Sequence, residues 1–268
     1  MNISICADDI GQDPAIADGC LELFALGRLN QMSVLSQSPF IKDHLQQISL
    51  ARQQGLQVGL HFNLTLPFND ATFFMPLGRL ILLSHLGLLN TRRIQQALDS
   101  QIQQFEDLFQ FRPDFIDGHQ HVHQFPQIRD LLIALAQHRY QDHPTLWMRS
   151  TALPSRTEGL PQASKAYLLN VLGGNAFLKQ LNQSHIAHNA GFLGVYGFNA
   201  PSPNAYGSLM KKWLALAQEN TLIMCHPAMC EVRNDAIGRQ RPIEFAYLKS
   251  DQFLEDLQSK HCQVAKLT

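Results

Sequence analysis

The chain has 268 residues, 45% of them hydrophobic and only 16% charged, with a formal net charge of -1. That length suits one large α/β domain or two small ones, and the missing basic excess excludes a charge-driven nucleic-acid binder. No run of about 18 apolar residues predicts a spanning helix.

Met1-Asn2-Ile3-Ser4-Ile5-Cys6 lacks a basic segment and a long apolar core, so it reads as a first strand, not a signal peptide. The five cysteines are scattered and odd in number, which suits reduced thiols and a cytoplasmic location.

The first strand, 2–7, ends in Asp8-Asp9-Ile10-Gly11. Asp13-Pro14 then opens a helix, with Asp as N-cap and Pro at the first position. Ile16, Cys20, Leu23 and Phe24 form its buried stripe, and Gly27 ends it. A second strand is predicted at 31–36, and a helix carrying Ile41, Leu45 and Ile48 ends near Gly55. In 56–64, Leu56, Val58, Leu60 and Phe62 alternate with Gln57, Gly59, His61 and Asn63. Period two sets these on opposite faces and turns His61 inward if the apolar face packs under helices.

Residues 66–90 hold Pro67, Pro76 and Gly78 and break the rhythm. They read as an excursion over the site face, a lid segment or a subunit contact. The apolar 73–89 stretch would serve a homodimer. Thr91 caps a long helix with Ile94, Leu98, Ile102, Phe105 and Leu108 inward. Phe115-Ile116 leads into Asp117-Gly118-His119-Gln120-His121-Val122-His123, and a helical pattern follows at Ile128, Leu131, Leu132 and Leu135. An extended segment would put His119, His121 and His123 on one side; a helical turn would pair His119 with His123. Either way, imidazoles beside a carboxylate at a strand end suit a metal or acid–base site.

A strand is predicted at 145–150 with Arg149 near its end, mostly helix over 161–188, and either a pocket wall or a core strand over 191–199. Thr221 to Cys225 forms a buried strand ending in His226-Pro227. A last helix at 243–259 and a last strand at 262–267 follow. Alternating strands and helices predict an α/β domain, most simply a barrel. A parallel barrel would gather Asp8-Asp9, His61, the 117–123 cluster and His226 at one rim. Paired carboxylates plus imidazoles there suit a hard-to-borderline divalent ion.

Ala7-Asp8-Asp9-Ile10-Gly11, Gly59-Leu60-His61-Phe62-Asn63-Leu64-Thr65, the 117–123 cluster and Cys225-His226-Pro227 resemble, in order and spacing, the YdjC-like carbohydrate deacetylases, which include chitooligosaccharide deacetylases. The resemblance spans nearly the whole chain. It implies a distorted (β/α) barrel of the polysaccharide-deacetylase (NodB-like) type, one domain over 1–268, and one divalent ion, Mg2+ or Zn2+. By that similarity Asp9, His61 and His119 are the metal ligands, Asp8 the general base and His226 the general acid. Arg149 pairs with Asp8 and contacts substrate. His121 or His123 supports the ligands, or replaces His119 among them. The implied reaction releases acetate from an N-acetylated sugar. Ile10 and Ala228 depart from the family pattern, which usually has Phe and Gly there; both bear on substrate fit. Two rival readings are a two-metal amidohydrolase or phosphoesterase, and a non-catalytic sugar-binding protein.

Overall fold

A computed structural model describes residues 1–68, 73–143 and 145–266. Nine strands form one sheet: β1 (Asn2–Ile10), β2 (Gln31–Val34), β3 (Gln57–Phe62), β4 (Phe115–Gly118), β5 (Trp147–Met148), β6 (Ala187–His188), β7 (Gly191–Leu193), β8 (Thr221–Cys225) and β9 (Gln263–Val264). The order is β6-β5-β4-β3-β2-β1-β8-β7, with β9 added on β1, and every pairing is parallel. Among the described residues no ladder joins β6 to β7. The segment after β5 fills that seam instead: Asn189 accepts from the Ser150 amide at 2.8 Å and donates to the Gly191 carbonyl at 2.9 Å, and the Phe192 amide of β7 donates to the Ala152 carbonyl at 3.1 Å. The result is a distorted, incompletely closed α/β barrel.

Among the described residues ten α-helices cover it: α1 (Pro14–Ala25), α2 (Leu45–Gln53), α3 (Leu77–His85), α4 (Thr91–Phe109), α5 (Ile128–His138), α6 (Ala163–Leu169), α7 (Asn175–Gln183), α8 (Pro203–Leu216), α9 (Arg241–Lys249) and α10 (Asp251–Ser259). Parallel strands need such crossovers. Asp13 caps α1 as predicted, its carboxylate accepting from the Ala15 amide at 2.9 Å. α4 is capped by Asn90 and not by Thr91, because Asn90 stands in the half-in position whose side chain reaches the Arg93 amide. The predicted final helix is two, broken at Ser250, whose extended backbone starts α10. The predicted strand at 145–150 shrinks to Trp147–Met148. The predicted last strand shortens to Gln263–Val264, and its end at 267 lies outside the described residues.

Alternation along the strands sorts outside from inside. Ile3, Ile5, Met32, Val58, Leu60 and Phe62 pack outward under the helices. Cys6, Phe115, Trp147, Phe192, Leu222 and Met224 fill the barrel. Phe115 and Trp147 stack with centroids 4.5 Å apart. Gly59 lies where any Cβ would stand about 2.4 Å from the Phe115 ring, so no larger residue fits. At the far end Gln31 donates its amide to Ser4 at 3.1 Å and to Gln57 at 3.0 Å, forming a polar floor. The same inward rows, followed to the strands' carboxyl ends, terminate in Asp8, His61, Asp117 and Arg149.

Candidate metal and catalytic site

The carboxyl end of β1 sets the site. Strict alternation would send Asp9 away from Asp8. Instead Ala7 pairs with Met32 and Ile10 with Val34, so three steps on β1 face two on β2. This bulge brings Asp9 to φ 64, a left-handed conformation that Asp tolerates better than bulky residues. Both carboxylates therefore line one cavity of about 630 Å³, together with His61, His119, His121 and His226.

Asp9, His61 and His119 converge: one ligand atom from each lies within 4.8 Å of the others. Asp9 Oδ1 is 2.8 Å from His119 Nδ1 and 3.3 Å from His61 Nε2. Asp9 Oδ2 accepts from Arg241 at 2.7 Å. The other nitrogen of His61, Nδ1, is 2.7 Å from Asp117 Oδ1, and Ser33 donates its hydroxyl to that same oxygen at 2.5 Å. This is the oriented imidazole that metal ligation favours. Farther along β3, Gln101 of α4 pins the strand end, accepting from the Asn63 amide at 2.8 Å and donating to its carbonyl at 2.7 Å.

Burial alone would raise the Asp9 carboxyl, yet His119 and Arg241 hold it well below the usual carboxylate range. Burial works against a charged His61, but Asp117 and Asp9 outweigh it and lift the imidazole to about 10. Asp117 is likewise pushed down, with Arg149 and His61 overcoming its burial.

Asp8 points to a different partner. Arg149 grips both its oxygens, each at 2.6 Å, and also lies 2.6 Å from Asp117 Oδ2 and 2.9 Å from the Cys6 sulfur. Cys6, Asp8 and Asp117 also have metal-like spacing, but the guanidinium sits among them as the counter-charge. Arg149 has no exposed side-chain surface and is absent from the cavity lining. Arg149, expected to contact substrate, stands behind Asp8 and outside the cavity lining.

The three histidines of the cluster part company. His119 faces Asp9. Left-handed Gln120 and His121, φ 52 and 58, then turn the chain back. His123 is fully buried, with Nε2 3.0 Å from the Arg149 carbonyl, and burial lowers it to about 4. His121 packs edge-on against Phe192 and lies beside His123. Neither joins the triad. His226 sits edge-on to Phe198, 5.1 Å between centroids, with Nε2 3.9 Å from Asp9 Oδ2. Its backbone N–H donates to buried Glu244 at 2.7 Å, and Glu244 also accepts from the Tyr196 hydroxyl at 2.5 Å.

Residues that the sequence reading missed are Arg241, Glu244 and Ser33. Arg241 joins Asp9 to Asp235, the latter at 2.5 Å. The signal available for it was faint: an arginine directly before Pro242 at a helix start.

The donor set fits a divalent ion on charge as well as spacing. The carboxylates touching Arg149 or Arg241 are Asp8, Asp9, Asp117 and Asp235, which outnumber those two cations by two once an ion takes the place of the His61 proton.

A family profile described as YdjC-like protein matches residues 2–259. The chain belongs to the YdjC-like family. One YdjC-like relative, the chitooligosaccharide deacetylase of Escherichia fergusonii, is 31% identical over 192 residues, covering 66% of this chain and 73% of the relative. A solved structure described as a candidate cellobiose-phosphate cleavage protein from Enterococcus faecalis is similar with a TM-score of 0.71 at 21% identity, over 99% of this chain and 97% of that one. A peptidoglycan N-acetylglucosamine deacetylase structure is similar at a TM-score of 0.52 and 10% identity, over 98% and 85%. These structural likenesses show the fold, the distorted barrel of the NodB-like type.

Proposed function

We propose that this YdjC-like chain is a metal-dependent carbohydrate deacetylase, hydrolysing the acetamide of an N-acetylated sugar to acetate and an amino sugar. The observation that carries the reading is the convergence of Asp9, His61 and His119 in a cavity that Asp8 and His226 also line. The deacetylase name of the relative supports the substrate class.

Asp9, His61 and His119 would hold one divalent ion, magnesium or zinc. When bound it supplies Lewis acidity to the acetamide carbonyl and to the attacking water. Asp8 accepts the proton of that water as its oxygen bonds to the carbonyl carbon. Arg149 acts as a positioning residue, fixing the plane of the Asp8 carboxylate from behind. His226 gives a proton to the departing nitrogen as the C–N bond breaks, a role worth roughly 10²–10⁴ in rate. Glu244 fixes the backbone that carries it. Arg241 holds Asp9 in the orientation its unusual backbone begins.

The two-metal rival is disfavoured because Arg149 occupies the second cluster of suitable spacing. Four of the five cysteines are buried and free, which supports a reducing compartment such as the cytoplasm. No helix among the described residues is long and apolar enough to cross a membrane. We read 1–268 as one catalytic domain, since β1, β3, β4 and β8 all contribute to the site.

Acetate release from a panel of N-acetylated sugars, with chelation and metal add-back, tests the proposal. Release that vanishes with chelator and returns with one ion per chain supports it. No release with any divalent ion rejects it.

A further inference from the structure

The reacting groups occupy one end of the cavity, and the remainder has a different chemistry. The segment between β3 and α4 contributes Leu66, Leu77 and Ile81; α6 and the turn after it contribute Leu168, Leu169 and Leu172. Both walls are anchored on the loop that follows His119. Ser84 of α3 donates its hydroxyl to the Pro126 carbonyl at 2.5 Å, and Gln124 donates its amide to the Leu169 carbonyl at 3.0 Å. Lys165 of α6 apart, the uncharged and acidic polar lining beyond the reacting groups comes from elsewhere: Gln12 follows β1, Gln120 follows β4, and Asn234 and Asp235 follow β8.

The apolar surface also continues outward. Leu168 lines the cavity while 59% exposed, and Val171 beyond it is 78% exposed. Exposed leucine at the mouth of an apolar cavity marks a surface that takes up an apolar partner. Along these walls Lys165 of α6 is the one polar side chain among the described lining residues, so a second or third sugar would surrender water from most of its hydroxyls and find few partners in return. A hydrocarbon there gains on both counts.

We propose that the sugar accepted by this site carries a hydrocarbon chain, an alkyl or isoprenoid aglycone lying between the α3 and α6 walls while the acetamide reaches Asp9, His61 and His119. The polar end of this assignment rests on the deacetylase reading; the apolar subsite does not.

The test is calorimetry on the full-length, metal-loaded protein with methyl and octyl glycosides of N-acetylglucosamine, below micelle-forming concentration. Full burial of a methylene is worth about fourfold in affinity, so partial burial of seven should make the octyl glycoside bind at least about 100-fold more tightly. Leu77→Asn and Leu168→Asn should each narrow the octyl-to-methyl ratio by about fivefold or more; the chain-length series itself needs no variant. Equal affinity for the two glycosides overturns the proposal. So does a ratio untouched by both substitutions, or a chitotriose that outcompetes the octyl glycoside. Acetate measured in the same samples separates the two readings. Tight octyl binding with no acetate under any metal leaves the subsite standing and removes the deacetylase assignment.

Discussion

Two acidic clusters share the mouth of the barrel, and what already fills each one separates their tasks. Cys6, Asp8 and Asp117 surround a guanidinium that has no exposed side-chain surface. Asp9, His61 and His119 surround no fixed cation of their own, although Arg241 holds the outer oxygen of Asp9. A buried cluster closed by arginine already holds its counter-charge; a cluster of imidazole nitrogens around a carboxylate at a cavity wall has the spacing to take up an ion. Asp8 and Asp9 are consecutive in the chain, and a one-residue bulge assigns them to different clusters. Asp8 belongs to both worlds, since Arg149 holds it from behind while the carboxylate still lines the cavity.

That comparison breaks most severely at Asp9. In Asp9→Ala the triad loses its central ligand, so elemental analysis should show the ion gone and acetate release at background. Asp8→Asn should keep the ion and lose about 10²–10⁴ in kcat, the usual range for removing a general base. Ion loss in Asp8→Asn would mean that the two clusters act as one. Asp117→Asn weakens the oriented bond to His61 Nδ1 without touching the ion, and should cost about 10–100-fold in metal affinity by calorimetry.

The smallest effect is a slope. His61 is lifted to about 10 without an ion, so at neutral pH an entering ion must displace the proton on Nε2. Metal affinity should fall about tenfold for each unit of pH lost between roughly 9 and 7, with about one proton released per ion. A raised imidazole favours the metal-free fold in the opposite sense. Its contribution is fully present below the ordinary 6.5 and is lost as pH rises through about 10. Calorimetry in buffers of different ionisation enthalpy reads the proton release directly.

Much of this was legible in the chain. The alternation from Leu56 to Asn63 placed His61 on the inner face, and Asp13-Pro14 marked the start of α1, because both signals are local. The helix predicted over 161–188 is α6 and α7 joined by a π-helical turn over 170–174, where Gly173 has φ 149, and it stops at Gln183, short of β6. Residues 191–199 proved to be both a strand and a cavity wall, since β7 ends before Val195, Tyr196 and Phe198. The choice among His119, His121 and His123 could not be read, because it turns on two consecutive left-handed residues with no glycine to announce them. Arg241 reaches Asp9 across 232 positions, and no local pattern records such a pairing. Strands β5 and β6 are two residues each, too short to leave a periodicity.

X-ray absorption on the protein loaded with one zinc or cobalt ion per chain reads the open cluster itself. The account predicts two imidazoles in the ion's coordination shell, reduced to one in His119→Ala and unchanged in His123→Ala. An unchanged imidazole count in His119→Ala, or a second ion bound per chain, would contradict it.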